Sequence, residues 1–135
     1  MRDRFPWCTV LGVPLRRVIF ADFPAVLDVG DRGYFRSSRE RDLGVSLEAA
    51  CANPAAKIAA FLQACTPLER TLTAQKFICG AAPVYADYII FSVFQMARLG
   101  SPKEIVVPGS GIAAWRQRMI ALYDNLGNRF PGYPI

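Results

Sequence analysis

Along most of this chain the apolar residues recur in steps of three and four, with polar residues between them. That period gives a helix one buried face. Residues 1–12 carry no clean period. From Pro14 the stripe is Leu15, Val18, Ile19, Phe23 and Val26, and Pro24 should kink or end that helix. Asp28–Gly33 reads as a loop. Tyr34–Leu43 reads as a charged helix stopped by Gly44, and Ser46–Cys51 as a short helix capped by Ser46. Asn53-Pro54 is a helix start, with a cap residue followed by proline at the first helical position. The stripe Ile58, Phe61, Leu62, Cys65, Leu68, Leu72 follows, and Pro67 should bend it. Val84 to about Leu99 is apolar on nearly every side, the mark of a central helix. Gly100–Gly111 is a loop holding a short apolar piece, Ile105–Val107. A last helix carries Ile112, Trp115, Met119, Leu122 and Leu126, with Gly127 as its stop. No segment alternates apolar and polar residues as a strand would. The expectation is an all-α bundle of five to six helices.

The central helix contains an acid. With Val84 as N-cap, Asp87 stands at the third helical position, where its carboxylate reaches back to the N-cap N–H and meets the positive end of the helix dipole. Asp87 therefore reads as a structural capping residue. Val84 has no hydroxyl to complete a capping box, a loss that typically costs about 0.5–2 kcal/mol.

Length and composition then narrow the picture. The 135 residues suit a single domain, and 53% hydrophobic residues against 20% charged describe a packed chain. The net charge of +5 comes mostly from arginine. Arg32, Arg36, Arg39 and Arg41 are interleaved with Asp31, Glu40 and Asp42, more compensated than a phosphate-binding arm. No nucleic acid is expected as the main partner. The chain has no histidine, which excludes His-based dyads and the common His-containing zinc sites. Cys8, Cys51, Cys65 and Cys79 show no CxxC spacing; the last three sit among apolar residues and read as buried free thiols, fitting a reducing, cytoplasmic setting. Ser37, Ser38 and the cysteines have no base placed to activate them. Tyr88–Ala97 is too short an uncharged run to span a bilayer, so no membrane association is expected.

Several segments share one resemblance. YFRSSRE (Tyr34–Glu40), LGVSLEAA (Leu43–Ala50), FICG (Phe77–Gly80), GAAPVYADYIIFSVFQM (Gly80–Met96), FQMARLGSP (Phe94–Pro102) and AAWRQRMIALYDNLG (Ala113–Gly127) follow in fixed order. In that order the chain resembles, over about residues 30–133, the C-terminal all-helical domain of cytosolic glutathione transferases. It looks most like the fungal and bacterial branch that includes β-etherase-like enzymes. The family's Ser or Thr at the helix cap is Val84 here.

The resemblance implies a helical bundle that lends the hydrophobic substrate pocket and dimer contacts to a glutathione-dependent transferase or etherase. Glutathione would be the co-substrate. It would be bound by a thioredoxin-like domain for which the residues before about 30 show no βαβ pattern. The chain alone is expected to be inactive, with no catalytic residue, no cofactor and no metal of its own. The implied partners are a second copy, a thioredoxin-like domain and a hydrophobic small molecule. Trp7 (with Phe5) and Phe20 are candidates to line the substrate cleft, Tyr34 for a pocket or interface aromatic, and Arg36 and Arg39 for an anionic ligand or dimer contact. Each also has a plainer reading, as packing or as an ion-paired surface. Trp115 belongs to the last helix's stripe and reads as core. A non-catalytic protein-interaction domain and a small basic nucleic-acid-binding domain are the alternatives.

Overall fold

Helix α6 (Tyr85–Gly100) forms the middle of the domain, burying Asp87, Ile90, Val93, Phe94, Ala97 and Arg98. The computed structural model describes residues 6–134, and their side chains from Thr9 onward. The other helices are α1 (Pro6–Ile19), α2 (Val29–Leu43), α3 (Leu47–Ala50), α4 (Pro54–Ala64), α5 (Thr66–Ala74) and α7 (Gly111–Asn125). Among the described residues there is no strand, only an isolated bridge between Phe77 and Gly80. Helix α1 packs on α4 and α6, α7 on α5 and α6, and α2 on the short α3. One apolar core runs through Leu11, Leu15, Phe61, Phe94, Ile105 and Trp115. No helix among the described residues is long and apolar enough to cross a membrane.

The all-α expectation holds, and the differences have local causes. Helix α1 begins at Pro6, within the stretch expected to lack a period. Leu11, Leu15, Val18 and Ile19 are its buried stripe, and Pro14 lies inside it. The helix ends at Ile19, ahead of Pro24. Phe23 and Pro24 instead form a 3-10 turn (Phe23–Ala25), and Val26 is half exposed. The expected loop at Asp28–Gly33 is helical from Val29. Gly30 and Gly33 suggested a break, because glycine costs about 1 kcal/mol in a helix interior. Here Asp28 takes the capping position, and its carbonyl accepts the Asp31 N–H at 2.9 Å. Gly44 ends α2 as expected: at φ 73° it is left-handed, and its N–H closes on Glu40 O at 2.8 Å.

The Pro67 bend is a full break between α4 and α5, so the described residues form seven α-helices where five to six were expected. The last helix winds regularly only to Ala121. Leu122 is extended, and Tyr123, Asp124 and Asn125 are left-handed. Leu126 is therefore half exposed instead of closing the stripe. Gly127 does not stop a helix there. It lets the chain press on Ile120, whose Cα would lie 3.1 Å from an added Cβ.

Candidate functional site

The start of α6 is built around Asp87, which is fully buried. Its Oδ2 accepts the Val84 N–H at 3.0 Å, the reach-back expected of the third helical position. Its Oδ1 accepts two more donors: the Ile78 N–H at 3.0 Å and the Trp115 indole N–H at 2.8 Å. Ile78 is presented by a tight turn in which Phe77 and Gly80 exchange backbone hydrogen bonds of 2.9 and 3.1 Å. With no hydroxyl at Val84, the Asp87 N–H falls back on the Val84 carbonyl at 2.9 Å. Three donors hold this carboxylate inside the core. It is placed to hold segments together, not to move a proton on a substrate.

Of the candidates Phe20, Arg36 and Arg39, the first and last meet where the chain leaving α1 passes α2, and Arg36 lies one turn before Arg39 on α2. Phe20 is buried edge-on to Phe23 and Phe35, with centroids 5.5 and 5.6 Å apart. The Arg39 guanidinium lies 5.8 Å from the Phe20 ring and 5.5 Å from that of Phe35, a cation–π arrangement. Arg39 also reaches Asp42 at 3.4 Å. Arg36 is held by Glu40 at 3.0 Å and forks onto both oxygens of Glu48 at 3.0 and 2.8 Å. The fork draws the Glu48 carboxyl below its ordinary value and raises the Arg36 guanidinium. Tyr34 is not drawn into this cluster; it stands 78% exposed on α2. The side chain of Trp7, and Phe5 altogether, lie outside the described residues.

A separate cavity of about 290 Å³ opens between α4, α5 and the segment 105–112. Leu62, Phe94, Ile105, Val106 and Ile112 line it, with Cys65 and Glu69 on its wall. None of the candidates with described side chains, Phe20, Tyr34, Arg36, Arg39 and Asp87, lines it. The signal for it was present in the short apolar piece Ile105–Val107 inside a loop. Two of those residues, Ile105 and Val106, turn out to be buried. What the sequence could not supply was the facing wall, since the loop's partner helices lie some forty residues away.

Two polar side chains on the cavity wall, Glu69 and Ser110, are occupied in capping α7. Glu69 accepts the Gly111 N–H at 2.6 Å and the Ile112 N–H at 2.9 Å, so it caps α7 from the neighbouring helix. Ser110 caps the same helix through the Ala113 N–H at 3.1 Å. The Cys65 thiol is pushed up to about 12, first by burial and then by the charge of Glu69. A thiol in that state is no nucleophile at neutral pH. No group of three or more His, Cys, Asp and Glu among the described residues is arranged to hold a metal. The cavity can therefore accept an apolar molecule, but its walls offer no group prepared to react with one.

Compared with known protein families, residues 6–116 match the family described as Glutathione S-transferase, C-terminal domain.

Proposed function

The chain belongs to the glutathione S-transferase C-terminal domain family, and on that premise we propose that it provides the hydrophobic second-substrate site of a glutathione-dependent transferase or etherase. Glutathione would be bound and activated by a thioredoxin-like domain. The observation that carries this reading is the apolar cavity between α4, α5 and the 105–112 segment, whose Glu69 is engaged in capping α7 and whose Cys65 is held protonated. Such a site binds and orients an electrophile, and the sulfur chemistry comes from elsewhere. The test is to offer the 135-residue chain glutathione and an activated chloroarene, and separately an apolar fluorescent probe. Probe binding that is weakened by filling the cavity with Leu62→Trp, and no conjugation above the buffer rate, are the expected results. Conjugation by the chain alone, or no saturable probe binding, would overturn the proposal.

One observation favours a second, interaction-module reading. None of the fifteen residues of α2 is buried, and Val29 and Tyr34 stand almost fully exposed. A second copy pairing through that face would give dimer contacts of the kind the family resemblance implies. A monomer at every concentration in size-exclusion chromatography would remove this reading.

A further inference from the structure

We propose that the small cavity bounded by the end of α6, the first turns of α7 and the tail at Tyr133–Pro134 binds one small monovalent anion between the guanidinium groups of Arg98 and Arg116. Both arginines line this cavity, and they are only 8% and 6% exposed. A buried cation is costly unless a countercharge and hydrogen bonds accompany it. Arg98 has neutral acceptors: the Gly127 carbonyl at 3.3 Å and Asn128 Oδ1 at 2.6 Å. Arg116 has one ion-pair partner among the described residues, Glu104 at 3.8 Å, too long for a hydrogen bond. Glu104 is itself half exposed, and its Oε1 also accepts the Val106 N–H at 2.9 Å. The Nε of each arginine is buried without a partner.

A third cation on the wall, Lys103, does not enter the account, because Asp22 pairs with it at 2.5 Å. Among the described residues, two buried positive charges thus have one half-solvated carboxylate between them, a net positive charge on the cavity wall. Burial depresses the Arg116 guanidinium below its ordinary value; Glu104 opposes that and Arg98 adds to it. A bound anion would accept both orphaned Nε–H groups and balance the second charge. Size selects the class. The cavity measures about 20 Å³, whereas one water-sized sphere needs about 10–15 Å³. That is room for one small group, and a halide ion or a single carboxylate is the class proposed for it.

Chloride is the direct probe, read from the excess width of its NMR line as protein is added, with formate as competitor. The expected result is saturable broadening, reversed by formate. Arg116→Gln should abolish it. Since that variant also alters a buried side chain, Glu104→Gln provides the second arm. Glu104 is half exposed, and a glutamine can still accept the Val106 N–H. Removing the competing negative charge should tighten chloride binding several-fold. Replacing exposed Arg41 by Gln should leave the broadening unchanged. Broadening that does not saturate, or that Glu104→Gln leaves the same or weakens, would overturn the proposal and leave a water in the cavity instead.

Discussion

The indole N–H of Trp115 donates to Oδ1 of Asp87 at 2.8 Å, joining α7 to the first turn of α6 inside the core. The same oxygen accepts the Ile78 N–H. Replacing Asp87 with Ala would strand three donors at once. Each unsatisfied buried donor costs about 1–3 kcal/mol, so the loss should exceed about 3 kcal/mol, a large part of the roughly 5–15 kcal/mol that holds a domain. Trp115→Phe keeps most of the ring packing and removes one donor; it should cost less than Asp87→Ala. Urea unfolding of both variants checks the order. Equal stability of Asp87→Ala and the parent would mean that these hydrogen bonds contribute nothing net.

Val84 occupies the N-cap with extended backbone, φ −124° and ψ 175°, and is partly exposed. Threonine has nearly the same shape and brings the missing oxygen to the Asp87 N–H. Val84→Thr should stabilise the domain by about 0.5–1.5 kcal/mol. For a chain of this size that is a rise in Tm of about 2–8 °C. A scan showing no rise would mean that the Val84 carbonyl already satisfies that N–H.

Two glycines mark close approaches of different kinds. A Cβ on Gly111 would lie 2.7 Å from the Thr73 backbone N and 2.8 Å from the Leu72 carbonyl carbon, where α5 crosses α7. A Cβ on Gly100 would run into the ring of Phe23, a side chain that can move. Gly111→Ala should therefore cost about 1–3 kcal/mol or more, and Gly100→Ala less. Adding Phe23→Leu should recover part of the Gly100→Ala loss and none of the Gly111→Ala loss, read as a double-mutant cycle in denaturant.

Arg36 fixes the sign of one pH effect. Its hydrogen bonds hold the Glu48 carboxyl below the ordinary value of 4.5. A carboxyl whose folded pKa is depressed stabilises the fold above its unfolded pKa, and that contribution fades as pH falls through the folded value. The melting curves of the parent and Glu48→Gln should thus differ most above about pH 4.5 and converge under more acidic conditions. The pair is solvent-exposed, so the difference should be small and shrink with added salt. Curves that stay parallel down to acid pH would exclude the pairing as their cause.

Much of the fold was legible because its signals are local. Asn53-Pro54, Ser46, Gly44 and the Val84–Asp87 spacing each mark a helix end within a few residues, and each end falls where that chemistry places it. The misreadings arose where tertiary packing outweighed local preference. Gly30 and Gly33 are carried inside a helix, Pro14 is tolerated in α1, and Tyr123–Asn125 adopt left-handed backbone that no sequence pattern announced. The candidate site was less legible. The walls of the apolar cavity are contributed by Leu62, Phe94 and Ile105, residues far apart in sequence that only the packed helices bring together. Arg36, Arg39 and Glu40 were readable as one group on a helix, but the approach of Arg39 to the Phe20 ring and of Arg36 to Glu48 was not.

The Asp87 carboxylate also governs how this part of the chain opens. Its three donors come from the turn before α6, from the helix's own cap, and from a tryptophan 28 residues further on. None of these bonds is protected until the others have closed water out. The backbone amides of Ile78 and Val84 should therefore exchange with solvent only in openings that also release α7 from α6. The N-terminal turn of the central helix and the docking of the last helix should then open as one cooperative unit.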